Sequence, residues 1–323
     1  MSSSTGPKEV VSELLPLVRF YSDGTVERLV GSDIVEPTTE DTVTGVSSKD
    51  VSVSPNISAR LYLPKLTSQA GKKLPILIYF HGGGFCVESA FSFLHQRYLN
   101  RLVDQAGVLA VSVEFRQAPE HPLPIAYDDS WTALRWVSSH LVDDDDDVSV
   151  HREQWLSDHG DFNRLYIGGD ATGANIAHNM VVRAGSESLL GDVKILGAFL
   201  SLPVFWGSTP VRSEPETGHL ERMICRVWEF VYPSAAKGID NPMINPFGSD
   251  LSGLGCSRLL VCVGEKDSFK ERGIHYCDVV RESGWEGEIE LYEAEGGGHG
   301  FHISYPETEI AKKMIQKLAS FLS

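Results

Sequence analysis

The 323-residue chain carries little that would take it to a membrane, a metal or a nucleic acid. No stretch of about 18 apolar residues runs unbroken, as a bilayer span requires, and Met1 to Val10 lacks the basic start and apolar segment of a secretory leader. A cytoplasmic protein is the expectation. Cations are scarce: 28 Lys and Arg stand against 44 Asp and Glu, and the net charge of −16 describes an acidic body that repels phosphate backbones. Cys86, Cys225, Cys256, Cys262 and Cys277 are odd in number, widely spaced and without a C-x-x-C pair, so reduced, mostly buried thiols are expected. No linker divides the chain, and α/β folds of this length are often one domain. The expectation is a single domain over 1–323.

What is present is a repeating alternation. Residues 9–30 read as a short helix and then a hairpin around Asp23-Gly24. Residues 43–63 alternate apolar and polar, as in Ile57-Ser58-Ala59-Arg60-Leu61, the period of half-exposed antiparallel strands at a sheet edge. From Leu74 the runs become fully apolar: 74–80, 108–115, 165–168, 195–202, 259–263 and 289–292. Such runs suit buried strands of a mainly parallel sheet. Helical spacing appears between them at 126–140 and 174–184, and the C-terminal 307–322 is amphipathic. Repeated β-α units imply an α/β fold with helices on both faces of the sheet. Asp143 to Asp147 repel one another and read as a solvated loop rather than a metal site. The proline-rich 203–248, around an amphipathic stretch at 220–232, reads as an insertion; with the N-terminal segment of about 1–35 it is expected to cap the strand ends.

Four features carry chemistry, and they occur in a telling order. His81-Gly82-Gly83-Gly84-Phe85 follows a strand, and its glycines let backbone N–H groups approach a ligand as one half of an oxyanion hole. Gly169-Asp170-Ala171-Thr172-Gly173 has the frame of a G-x-S-x-G nucleophile elbow, with Ala171 where the serine would be. Thr172 would give its N–H to the hole beside those of Gly82 and Gly83. Asp267 lies just past another strand, and His299 sits in the loop Gly296-Gly297-Gly298-His299-Gly300. Nucleophile, acid, base is the chain order of α/β-hydrolases. His299, projecting among glycines, is preferred to His302, and Asp267 to Glu265.

On these residues, with Phe115-Arg116, Ala118-Pro119-Glu120-His121-Pro122 and His299-Gly300-Phe301, the chain resembles plant carboxylesterases of the hormone-sensitive-lipase type over nearly its whole length. Phe85-Cys86-Val87-Glu88-Ser89-Ala90 and Ala174-Asn175-Ile176-Ala177-His178-Asn179 are most similar to the 2-hydroxyisoflavanone dehydratases of that family, and alkaloid cyclases share the scaffold. The resemblance implies an α/β-hydrolase fold, a small apolar ester or specialised metabolite as substrate, and no cofactor. A monomer or homodimer without nucleic-acid or membrane partners is expected. Phe85, Val87, Phe205 and Trp206 are the candidate pocket residues.

Position 171 departs from the family. Esterases carry Ser there and the dehydratases Thr, and alanine cannot attack a carbonyl. Ser→Ala is the least disruptive way to silence a nucleophile, so the leading expectation is an ester hydrolase whose chain has been inactivated, by engineering before natural loss. The alternative is a dehydratase or cyclase that uses His299 and the oxyanion hole without a covalent step, for which Ala171 is natural. A gibberellin-receptor-like binding protein is a third reading, weakened because those receptors lose the histidine that is present here.

Overall fold

The computed structural model describes residues 8–66, 73–141, 152–214 and 218–323. The acidic run at 143–147 lies outside these residues.

The chain opens as a three-stranded antiparallel sheet, β1 (Val10–Leu14), β2 (Val18–Tyr21) and β3 (Val26–Arg28), where a short helix was expected to come first. Pro16 explains the difference, because it removes a helix donor and clashes with the preceding turn. The expected turn forms between β2 and β3, where Gly24 takes φ 82° and the Asp23 carboxylate accepts the Thr25 N–H at 2.9 Å.

The main sheet has eight strands. They are β4 (Ser47–Ser54), β5 (Ile57–Leu63), β6 (Leu74–Phe80), β7 (Leu109–Glu114), β8 (Gly160–Asp170), β9 (Ile195–Ser201), β10 (Cys256–Gly264) and β11 (Glu288–Ala294), in spatial order β11-β10-β9-β8-β6-β7-β5-β4. All neighbours from β7 to β11 run parallel, and β4 and β5 add the antiparallel edge that the alternating sequence announced.

Period-2 side-chain direction divides the core. Along β6, Ile76, Ile78 and Phe80 join one apolar cluster and Leu77 and Tyr79 the other. The first face is covered by α2 (Ile125–Ser139), α4 (Thr172–Ala184) and α6 (Lys270–Glu282), and the second by α1 (Phe93–Ala106) and α8 (Glu309–Leu322). α8 shows why the sequence folds this way: Ala311, Met314, Ile315, Leu318 and Leu322 fall on one stripe and are buried, each large side chain contributing about 1.5–3 kcal/mol. Short helices α3 (Gln154–His159) and α7 (Phe301–Ser304) and the longer α5 (Gly218–Val231) complete the α-helices among the described residues. No helix among the described residues is long and apolar enough to cross a membrane. The five cysteines are free, and four of them are buried.

Candidate active site

The parallel strands end on one side of the sheet, and the loops that follow β6, β8, β10 and β11 meet there. β8 turns into α4 through Ala171, which holds φ 51° and ψ −115°, a strained conformation for a side-chain-bearing residue. Neighbouring contacts impose it. The Ala171 N–H donates to the Ser201 carbonyl at 2.9 Å and its own carbonyl accepts from Val204 at 3.2 Å. The flanking glycines permit the close approach: a Cβ on Gly173 would stand 2.0 Å from the Phe80 carbonyl oxygen, and one on Gly169 2.5 Å from it.

The glycine loop after β6 packs on this elbow. Gly83 takes φ 111°, and a Cβ there would lie 2.0 Å from the Val87 carbonyl oxygen. The Gly82 N–H donates to Asp170 Oδ1 at 3.2 Å and the Gly84 N–H to Thr172 Oγ1 at 3.1 Å. Gly82, expected to offer its N–H to a ligand, therefore spends it on the elbow carboxylate. Among the described residues the N–H groups of Gly83 and Thr172 have no protein acceptor, the latter because it opens a helix. The Thr172 hydroxyl is a brace for the loop.

Beyond β10, Asp267 is 6% exposed; its Oδ1 accepts the Phe269 N–H at 3.0 Å and its Oδ2 lies 3.0 Å from His299 Nδ1. That contact turns His299 Nε2 away from the carboxylate, and the ring packs on Phe269 with centroids 5.2 Å apart. Burial works against a charged His299, but the hydrogen bond to Asp267 and the charges of Asp267 and Asp170 outweigh it, and the imidazole stays above its ordinary pKa. Glu265 instead accepts the Gly296 N–H and shapes the loop. His302 is fully buried with both ring nitrogens unpaired, and burial drives its pKa down to about 4.

Gly82, Gly83, Ala171, Thr172 and His299 line one cavity of about 390 Å³, and Asp267 stands behind His299. Its walls are mainly apolar: Leu15, Pro16 and Leu17 from the turn between β1 and β2, and Met223, Ile224, Val227 and Trp228 from α5, contribute to them. Phe85 and Val87 also line it. Phe205 and Trp206 do not. After β9 the chain turns their rings into the layer beneath, where Phe205 stacks on Tyr276 at 4.8 Å and Trp206 carries the Arg272 guanidinium at 4.0 Å. Val204 and Ile244 present apolar surface to the cavity instead. Asp170 and His95, which the sequence reading passed over, line it too.

Residues 77–303 match the model of a family described as alpha/beta hydrolase fold. The chain belongs to the α/β-hydrolase family. This α/β-hydrolase is 54% identical over 326 residues to a 2-hydroxyisoflavanone dehydratase of Glycyrrhiza echinata, covering 99% of the chain and 98% of the relative. A probable carboxylesterase 5 of Arabidopsis thaliana is 41% identical over 322 residues, covering 97% and 98%. Among solved structures, a hyperthermophilic esterase from Pyrobaculum calidifontis superposes with a TM-score of 0.68 at 26% identity, covering 86% of this chain and 84% of that one. Recognition as an α/β-hydrolase of the plant carboxylesterase and dehydratase type, an enzyme scaffold, follows from these matches together with the sheet.

Proposed function

We propose that this chain is a non-covalent lyase that removes water from a small, largely apolar β-hydroxy ketone of the 2-hydroxyisoflavanone class, without a cofactor. One observation carries the reading. The Asp267–His299 pair stands intact beside two open backbone donors, while the attacking position of the elbow ends in the methyl group of Ala171. Such a site can take a proton and hold an oxyanion but cannot form an acyl-enzyme.

The substrate ketone oxygen accepts from the Gly83 and Thr172 N–H groups. His299 Nε2 removes the proton on the carbon between carbonyl and carbinol, and Asp267 steadies the imidazolium. The enolate then collapses back to the ketone, expelling the β-hydroxyl, which takes up a proton and leaves as water. The dehydratase name of the relative from Glycyrrhiza echinata supports this assignment. Without a covalent step the site asks no nucleophile of residue 171. Incubation with a 2-hydroxyisoflavanone should give the conjugated isoflavone faster than buffer does, and His299→Ala should remove the acceleration. No acceleration by the unmodified chain would sink the reading.

The esterase scaffold favours a second reading, a carboxylic ester hydrolase silenced at residue 171. There a serine would attack the ester with His299 as base. The cavity and dyad suit both readings, and they part on whether the chain as it stands turns substrate over. A receptor reading in the manner of gibberellin receptors draws no support from the retained His299.

A further inference from the structure

Elimination needs a proton taken and a proton given. His299 accounts for the first. Among the described residues three buried histidines have an unpaired ring nitrogen, His81, His95 and His302, and of these only His95 lines the cavity. His178 Nδ1, by contrast, is partnered by the Tyr276 hydroxyl at 2.9 Å. His95, in the first turn of α1, is 2% exposed, and its Nδ1 lies 3.9 Å from Asp170 Oδ1. That places Nε2 on the edge of the ring away from the carboxylate.

The other groups around His95 are held neutral near pH 7. The His81 ring is 5.5 Å away, with burial driving its pKa down to about 3. The Tyr79 ring is 6.2 Å away; burial and then the charge of Asp170 hold its hydroxyl well above the usual tyrosine range, and it donates to Asp170 Oδ1. His302, whose ring packs edge-on against Tyr98, is lowered to about 4 by burial. Asp170 is the carboxylate that faces His95, and its charge reaches His299 as well.

We propose that His95 is the general acid of the elimination, a second imidazole on the cavity that His299 lines, with the Asp170 carboxylate 3.9 Å from its Nδ1. This rests on the lyase reading above. The α C–H bond breaks, its electron pair forms the new C=C bond and its proton goes to the neutral His299 at Nε2; the C–O bond breaks, and the departing oxygen takes its electron pair and the Nε2 proton of the His95 imidazolium, which becomes neutral imidazole. Water leaves, and the two imidazoles return to their starting states by exchanging protons with solvent.

The test separates the two transfers. In D₂O, a 2-hydroxyisoflavanone recovered before completion reports α-proton exchange, and isoflavone formation reports loss of water. His95→Gln should slow water loss by about 100-fold or more, the usual contribution of a general acid, while exchange continues. His95→Ala, which opens room for a free imidazole, should regain water loss when imidazole is added. Retained water loss in both variants overturns the assignment, and so does a parallel fall of exchange and water loss without imidazole rescue. An unmodified chain that neither exchanges nor eliminates overturns the proposed function and this inference with it.

Discussion

Adding one hydroxyl oxygen at residue 171 tests whether the catalytic geometry is complete around it. Ala171→Ser requires no new backbone strain, because the residue already holds φ 51° and ψ −115° between two close-packed glycines. It requires no new base, because His299 is already anchored at 3.0 Å on Asp267. What is added is the bond-forming atom. Removing a protease triad lowers kcat by about 2 × 10⁶-fold, roughly 8–9 kcal/mol of barrier, and leaves only what the oxyanion hole and binding supply. A site with its hole and dyad in place should recover at least about 10³-fold of that, about 4 kcal/mol. The assay is hydrolysis of a short-chain nitrophenyl ester, with His299→Ala in the same background as the control. A gain under about tenfold, in a variant that melts as the parent does, would show that the dyad is not aligned on residue 171.

Two predictions concern the fold beneath the site. Gly173→Ala pits helix propensity, which favours alanine by about 1 kcal/mol, against a Cβ placed 2.0 Å from the Phe80 carbonyl oxygen. Overpacking should win, with a net loss of about 3 kcal/mol or more seen in urea unfolding; a more stable variant would refute the close approach. Burial lowers the pKa of His81 and His178 to about 3 and of His302 to about 4, so the unfolded chain binds three more protons than the folded one once pH falls below the ordinary histidine value. Their stabilisation is therefore present above about pH 6.5 and is lost on acidification toward pH 4, at up to about 4 kcal/mol per pH unit for three protons. Urea midpoints across pH 4–7 measure this, and His302→Phe should reduce the slope by about one proton's share. An unchanged slope would refute the neutral burial of His302.

Much was legible in the sequence because the chemistry and the fold share local signatures. The runs that start at Leu74 announced six of the strands: five are buried in the sheet and have little polar side to show, and β11, at the sheet edge, shows its period instead through exposed Glu288 and Glu290 beside half-buried Ile289 and Leu291. α1 and α6 were missed: their buried sides carry His95, Gln96 and Asn100, or Arg272 and Tyr276, whose polar atoms hide the helical period. The opening β1 was mistaken for a helix because two leucines before Pro16 satisfy either spacing over so few residues.

The sequence by itself determined the α/β-hydrolase architecture, the elbow with its missing hydroxyl and the Asp267–His299 pair, because each depends on glycines and reactive residues at fixed places beside strand ends. Tertiary structure alone decided which donors stay open and which rings face the cavity. Gly82 gives its N–H to Asp170, Phe205 and Trp206 turn inward, and His95 arrives from a helix 76 residues before Ala171. Such outcomes depend on the directions of side chains that distant segments bring together, and no spacing along one segment encodes them.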